Sequence, residues 1–113
     1  MNRPLLPAID DILDAIAGIE EAVAGKTFAD FESNWLLRRG IERAIEIISE
    51  ACRRIPADLK SKRPEIPWRD VEAIGNILRH EYHTVSNPII WDVVQSDLPP
   101  LKAAVEAISL SRK

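Results

Sequence analysis

Residues 27–56, TFADFESNWLLRRGIERAIEIISEACRRIP, decide the fold class. Phe28, Phe31, Trp35, Leu37, Ile41, Ala44/Ile45, Ile48, Cys52 and Ile55 recur every three or four positions, the spacing of one face of an α-helix. Thr27-Phe28-Ala29-Asp30 opens the stretch as a capping box, with Asp at the position more often held by Glu or Gln. Pro56 stops it. The pattern predicts one long amphipathic helix from Phe28 to Ile55. Upstream, Ile9, Ile12/Leu13, Ile16, Ile19 and Val23 repeat the same spacing, while Asp10, Asp11, Asp14, Glu20 and Glu21 take the other faces. Pro4 and Pro7 stand in or just before the first turn, where a missing N–H is tolerated. Gly25 is placed to end this helix in the left-handed conformation. Two such helices joined by a short turn form an antiparallel hairpin.

Downstream, residues 56–65 form a basic connection with room for one short helical turn, Ala57–Ser61. Pro67 opens a third helix that carries Trp68, Val71, Ile74, Leu78 and Tyr82 toward the core. It stops near Thr84 or Val85, because Ser86-Asn87-Pro88 reads as a cap followed by proline at the first helical position. A fourth helix places Ile90/Trp91, Val94, Leu98, Leu101, Val105 and Ile108 on one face. Pro99 and Pro100 interrupt that helix, and a kink or break is expected after Leu98. No strand-like alternation, internal repeat or low-complexity segment appears. The expected architecture is all-α: an up-and-down antiparallel four-helix bundle with a short extra helical segment, in one domain over residues 1–113.

Composition agrees with such a domain. Across 113 residues, 46% are hydrophobic and 29% charged, which excludes intrinsic disorder. The single cysteine, Cys52, excludes a disulfide scaffold and suits a reducing compartment, where a lone thiol is most often a small buried apolar group. No apolar run approaches the roughly 20 residues of a membrane span, and the first ten residues lack the features of a signal peptide. A cytoplasmic location is expected. The net charge of −3 is unevenly spread. Residues 1–51 hold five Lys/Arg against ten Asp/Glu, whereas residues 52–80 hold seven against four. A local basic surface of that kind can meet a polyanion, but it is also what a solvated loop and helix end look like.

The chain has no glycine-rich phosphate loop, no HExxH, no cysteine cluster and no GxSxG elbow. No carboxylate–histidine set has metal-ligand spacing, and no cofactor is expected. Both histidines fall in Asn76-Ile77-Leu78-Arg79-His80-Glu81-Tyr82-His83. On a helix, Asn76 and His80 are four apart, as are Arg79 and His83, while Arg79 and Tyr82 are three apart. A histidine near neutral pKa can take the proton of a ribose 2′-OH or supply one to a leaving 5′-oxygen. A guanidinium can neutralise charge growing on phosphorus. The same residues also fit a plain helix end: His80 favourable to the helix dipole, Tyr82 packed, Arg79 solvated. Trp35, Trp68 and Trp91 sit at apolar helical positions and are read as core or interface residues.

From about Asp30 onward the chain resembles a HepT-like protein of the HEPN superfamily. The resemblance is carried by residues 30–56 (DFESNWLLRRGIERAIEIISEACRRIP), 66–83 (IPWRDVEAIGNILRHEYH) and 91–105 (WDVVQSDLPPLKAAV), in family order. It implies a homodimeric helical bundle that acts as the toxin of a type VII-like toxin–antitoxin pair, with a minimal (MNT-type) nucleotidyltransferase as antitoxin. The implied activity is metal-independent RNA cleavage at a site assembled across the dimer. The family motif is Arg, four to six residues, His, any residue, Tyr. His80 and Tyr82 match its second half.

Its first half is different here. Gly75 stands where the family's Arg-Asn pair would put arginine, with Asn76 following as expected. Arg79, immediately before His80, is the nearest arginine, and Arg38, Arg39 and Arg69 are other sources of charge. The resemblance then implies His80 as general acid/base, Arg79 as phosphate-binding residue and Asn76 as a positioning donor, with His83, Glu81 and Arg69 accessory. It also implies Tyr82 as the tyrosine to which the antitoxin transfers AMP. The alternative is a catalytically degenerate HEPN subunit that binds or regulates a partner nucleotidyltransferase.

Overall fold

The computed structural model describes residues 5–81 and 85–111, with Glu81 described by its backbone alone. Among the described residues the chain is helical and has no strand. The first helix, α1 (Leu5–Val23), turns Ile9, Ile12, Ile16 and Ile19 inward and ends before Gly25, which adopts φ 72°. Glycine is the residue that takes this conformation without strain.

The capping box forms as the sequence predicts. Asp30 N–H donates to Thr27 Oγ1 (3.2 Å), and Thr27 N–H donates to Asp30 Oδ2 (2.9 Å). That donation from the Thr27 backbone, then from its hydroxyl, holds the Asp30 carboxyl below its usual range. The stabilisation it brings is complete above the ordinary carboxylate pKa and is lost as pH falls through the lowered one. Thr27→Ala should cost about 1 kcal/mol and lower the melting temperature by roughly 4–8 °C at neutral pH, read by circular dichroism.

The box does not open one long helix. It opens α2 (Phe28–Ser33), and a second helix, α3 (Trp35–Arg53), begins after Asn34. Asn34 has φ −112° and ψ 98°, ends α2, and accepts from Leu37 N–H to start α3. An asparagine offers the backbone this alternative to a continued helix. The break leaves Trp35 62% exposed and Leu36 73% exposed, so of the two readings of Trp35, core or interface, the core one does not hold. Arg39 lies over the Trp35 ring at 5.9 Å.

α3 is the central element, packed on α1 along one side and on α5 (Trp68–Glu81) along another. The Arg54–Asp11 ion pair joins the end of α3 to the start of α1, so these helices run antiparallel. α4 (Ala57–Ser61) is the expected short turn. The expected stop of α5 near Thr84 or Val85, and the inward placing of Tyr82, lie on or beside residues outside those described. α6 (Asn87–Asp92) follows with Ser86 as N-cap and Pro88 in its first turn.

A π-helical turn over Val93–Asp97 leads into α7 (Leu98–Leu110). The irregularity lies before Leu98, not after it. Pro99 and Pro100 lack the N–H groups that would bond back to Gln95 and Ser96, and their rings crowd those carbonyls. The distortion therefore falls one turn upstream, while the prolines sit comfortably in the first turn of α7. Lys102 pairs with Glu20 and holds the start of α7 beside the end of α1, again antiparallel. Phe28, Phe31 and Trp91 tie α2 to α6, with Phe31 and Trp91 centroids 5.2 Å apart.

The core is mainly aliphatic, with Ile12, Ile16, Ile48, Leu78, Ile90, Leu101 and Val105 among its buried members. α5 packs chiefly on α3 and α7 chiefly on α1, and an apolar groove of about 400 Å³ lies between the two outer helices. No helix of the described residues is long and apolar enough to cross a membrane.

Candidate active site

The site rests on how α5 is held. At its start, Trp68 Nε1–H is shared between the carbonyls of Lys60 and Arg63, both at 3.0 Å. Lys60 Nζ donates to the Cys52 carbonyl (3.3 Å) and to Glu72 Oε2 (2.6 Å), which clamps α4 between α3 and α5. Arg53 donates to the Glu72 carbonyl at 2.8 Å. Together with Arg54–Asp11 and Arg63–Glu65, these contacts take up much of the basic segment within the chain. The local excess of positive charge is therefore largely structural. Cys52 is fully buried, and burial pushes its thiol up to about 12, so it is a neutral packing group at ordinary pH.

Midway along, α3 and α5 approach closely at Gly75. Ser49, buried, donates its hydroxyl to the Val71 carbonyl at 2.6 Å. A Cβ added at Gly75 would lie 2.5 Å from Ser49 Cβ and 3.3 Å from Glu46 Cα. The glycine that departs from the family pattern is thus the contact point of two helices of the same chain. It faces α3, away from solvent.

One turn further, the face of α5 opens. Asn76, Arg79 and His80 are all exposed. Asn76 and Arg79 line a small polar cleft of about 70 Å³ with Glu46, Ser49, Arg53 and Glu72. Arg79 Nε lies 3.9 Å from Glu46 Oε1, and its side chain is 51% exposed. Arg79 and His80 point about 100° apart around the helix, so Asn76, not Arg79, shares His80's row. Arg69 sits in the first turn of α5, roughly 16 Å along the axis from His80, and does not join the group. Tyr82 and His83 lie outside the described residues, and nothing is described of the Glu81 side chain.

Arg38 and Arg39, on α3, are engaged elsewhere. Arg38 donates to the Glu32 carbonyl, and Arg39 to Glu42 Oε2 at 3.1 Å. Burial raises the Glu42 carboxyl above its usual range, with Arg39 and Arg38 acting against that rise. Reading the motif alone misses Glu46. The Arg43–Glu46 spacing on one helix is visible in the sequence, but the reach from Glu46 to Arg79 depends on how α3 and α5 cross. Among the described residues no group of three His, Cys, Asp or Glu is arranged to hold a metal ion.

The described residues form an all-α bundle, and comparison with known proteins gives its family. The chain belongs to the HepT-like family: that family's model, described as "Ribonuclease HepT-like", matches residues 12–108. It is 37% identical over 108 residues to "Probable ribonuclease HepT" of Thermococcus cleftensis, covering 96% of this chain and 98% of that protein. It is 34% identical over 107 residues to "Putative RNase MJ1380" of Methanocaldococcus jannaschii, covering 95% and 98%. A third relative, "Putative RNase TTE0752" of Caldanaerobacter subterraneus, is 32% identical over 107 residues, covering 95% and 96%. No solved structure matches the chain.

Proposed function

We propose that this chain, as one HepT-like domain, is a metal-independent endoribonuclease that works as a homodimer. It would be the toxin half of a pair whose antitoxin is an MNT-type nucleotidyltransferase. The observation that carries the reading is the exposed grouping of Asn76, Arg79 and His80 on the last turns of α5, in a chain whose relatives are named as ribonucleases. His80 takes the proton of the ribose 2′-OH as that oxygen attacks phosphorus. The P–O5′ bond then breaks, and the protonated histidine supplies the proton the leaving 5′-oxygen needs. Arg79 neutralises the charge gathering on the phosphoryl oxygens, and Asn76 donates a positioning hydrogen bond. The products are a 2′,3′-cyclic phosphate and a 5′-hydroxyl. Tyr82 is the site where AMP addition would add bulk and negative charge and block the phosphate position.

The divergence of these side chains supports a dimeric site. Arg79 and His80 leave α5 in different directions, so a second copy across a twofold axis supplies the arginine that faces each histidine. The alternative reading, a HEPN subunit without nuclease activity, draws on the buried Gly75 at the position of the family arginine. Cleavage of RNA in the presence of EDTA, with 2′,3′-cyclic phosphate ends and a dimeric mass by light scattering, is the expected result. A dimer that leaves RNA intact would support the alternative, and a monomer at micromolar concentration would count against the shared site.

A further inference from the structure

Glu46 has no part in the roles above, yet its setting is unusual for a carboxylate. Its side chain is only 14% exposed, in the middle of α3, beside the point where Gly75 lets α5 come close. Its Oε1 faces two guanidiniums: Arg43 on its own helix at 3.2 Å and Arg79 on α5 at 3.9 Å. We propose that Glu46 is a positioning residue for Arg79, steering its guanidinium from the Nε edge so that the terminal amino groups face an RNA phosphate in the site shared across the dimer. This inference rests on the ribonuclease reading.

The argument is one of geometry and freedom. A guanidinium is a rigid planar fork, so a carboxylate that attracts it from the Nε side, here as an ion pair at 3.9 Å and not as a hydrogen bond, biases the plane and leaves the other edge available. The Arg79 side chain is half exposed, which leaves room for a phosphate to approach it. Without a partner on α3, a long side chain on an outer helix turn samples many rotamers and must lose that freedom each time it meets a phosphate. Glu46 itself is only 14% exposed and also pairs with Arg43, so it has less freedom than a surface carboxylate. Gly75 belongs to the same arrangement. A side chain there would push α5 away from Ser49 and from the Glu46 backbone, and would carry Arg79 out of reach. The glycine at the family's arginine position and the arginine four residues later are thus two halves of one solution.

Glu46→Gln keeps the volume and an acceptor for Arg43 while removing the charge that attracts Arg79. Single-turnover RNA cleavage should slow about tenfold, with KM changed less than about twofold, because orientation matters most in the transition state. In an Arg79→Ala background, Glu46→Gln should have no further effect. The Arg79 Nε–H resonance of the ¹⁵N-labelled protein should shift and exchange faster in Glu46→Gln, with circular dichroism unchanged. Wild-type rates in Glu46→Gln, or losses that multiply in the double variant, would overturn the positioning role. If the wild-type protein fails to cleave RNA, the ribonuclease reading fails. The resonance then still decides whether Glu46 holds Arg79, and an unmoved Arg79 signal would overturn that hold.

Discussion

Gly75→Arg is expected to break the bundle, the largest stability effect of any single substitution considered. The first atom of the new side chain already falls 2.5 Å from Ser49 Cβ, at a crossing where the backbone of α3 lies directly behind. Extra methylenes forced into a packed contact typically cost 1–3 kcal/mol, and a charge left in that contact adds to the loss. A total of about 3 kcal/mol or more is a large share of the 5–15 kcal/mol that holds a domain together. For a chain of this size the melting temperature should drop by more than about 12 °C. Gly75→Ala tests the same contact more gently: helix propensity favours alanine by about 1 kcal/mol, and the clash outweighs it. Pairing Gly75→Ala with Ser49→Gly should recover part of the loss, since the atom it meets is then gone. If instead Gly75 marks a lost arginine with nothing packed in its place, Gly75→Arg would keep the wild-type melting temperature and cleave RNA faster.

His80→Ala should abolish cleavage without disturbing the fold. His80 is exposed, on the outer side of α5, so its removal opens no cavity. A general acid–base group contributes roughly 10²–10⁴-fold to a rate, about 3–5 kcal/mol in the barrier. The measurement is the single-turnover rate beside a circular dichroism melt of each protein. His83→Ala, three residues past the motif histidine and one past its tyrosine, should be the milder of the two. Equal rates for wild type and His80→Ala at matched stability would remove His80 from the mechanism.

Much of this molecule could be read along the chain because its causes are local. The three-to-four spacing of Ile9, Ile12, Ile16 and Ile19, and of Ile41, Ile45 and Ile48, states which side of each helix must be buried, and that side is buried. Thr27 with Asp30 and the left-handed Gly25 act on neighbours within a few residues, so their roles could be assigned without a fold. The resemblance to HepT-like proteins is likewise carried by short ordered segments, one of which spans α5.

Other features were decided only when the helices packed. Asn34 is compatible with a continuous helix or with a cap, and the Phe28–Phe31–Trp91 cluster that holds α2 against α6 goes with the second choice. Trp35 fits a core or an interface position by spacing, and it lies exposed just after the break at Asn34. Pro99 and Pro100 announce a disturbance, but its place one turn earlier reflects which carbonyls they deprive of partners. Gly75 and Glu46 show the same limit at the site itself. Periodicity says which face of α3 and which face of α5 turn inward. It carries no information on the register between them, which depends on where one helix's ridges fit the other's grooves. That register brings Ser49 against Gly75 and sets Glu46 beside Arg79, and it exists only in the packed structure.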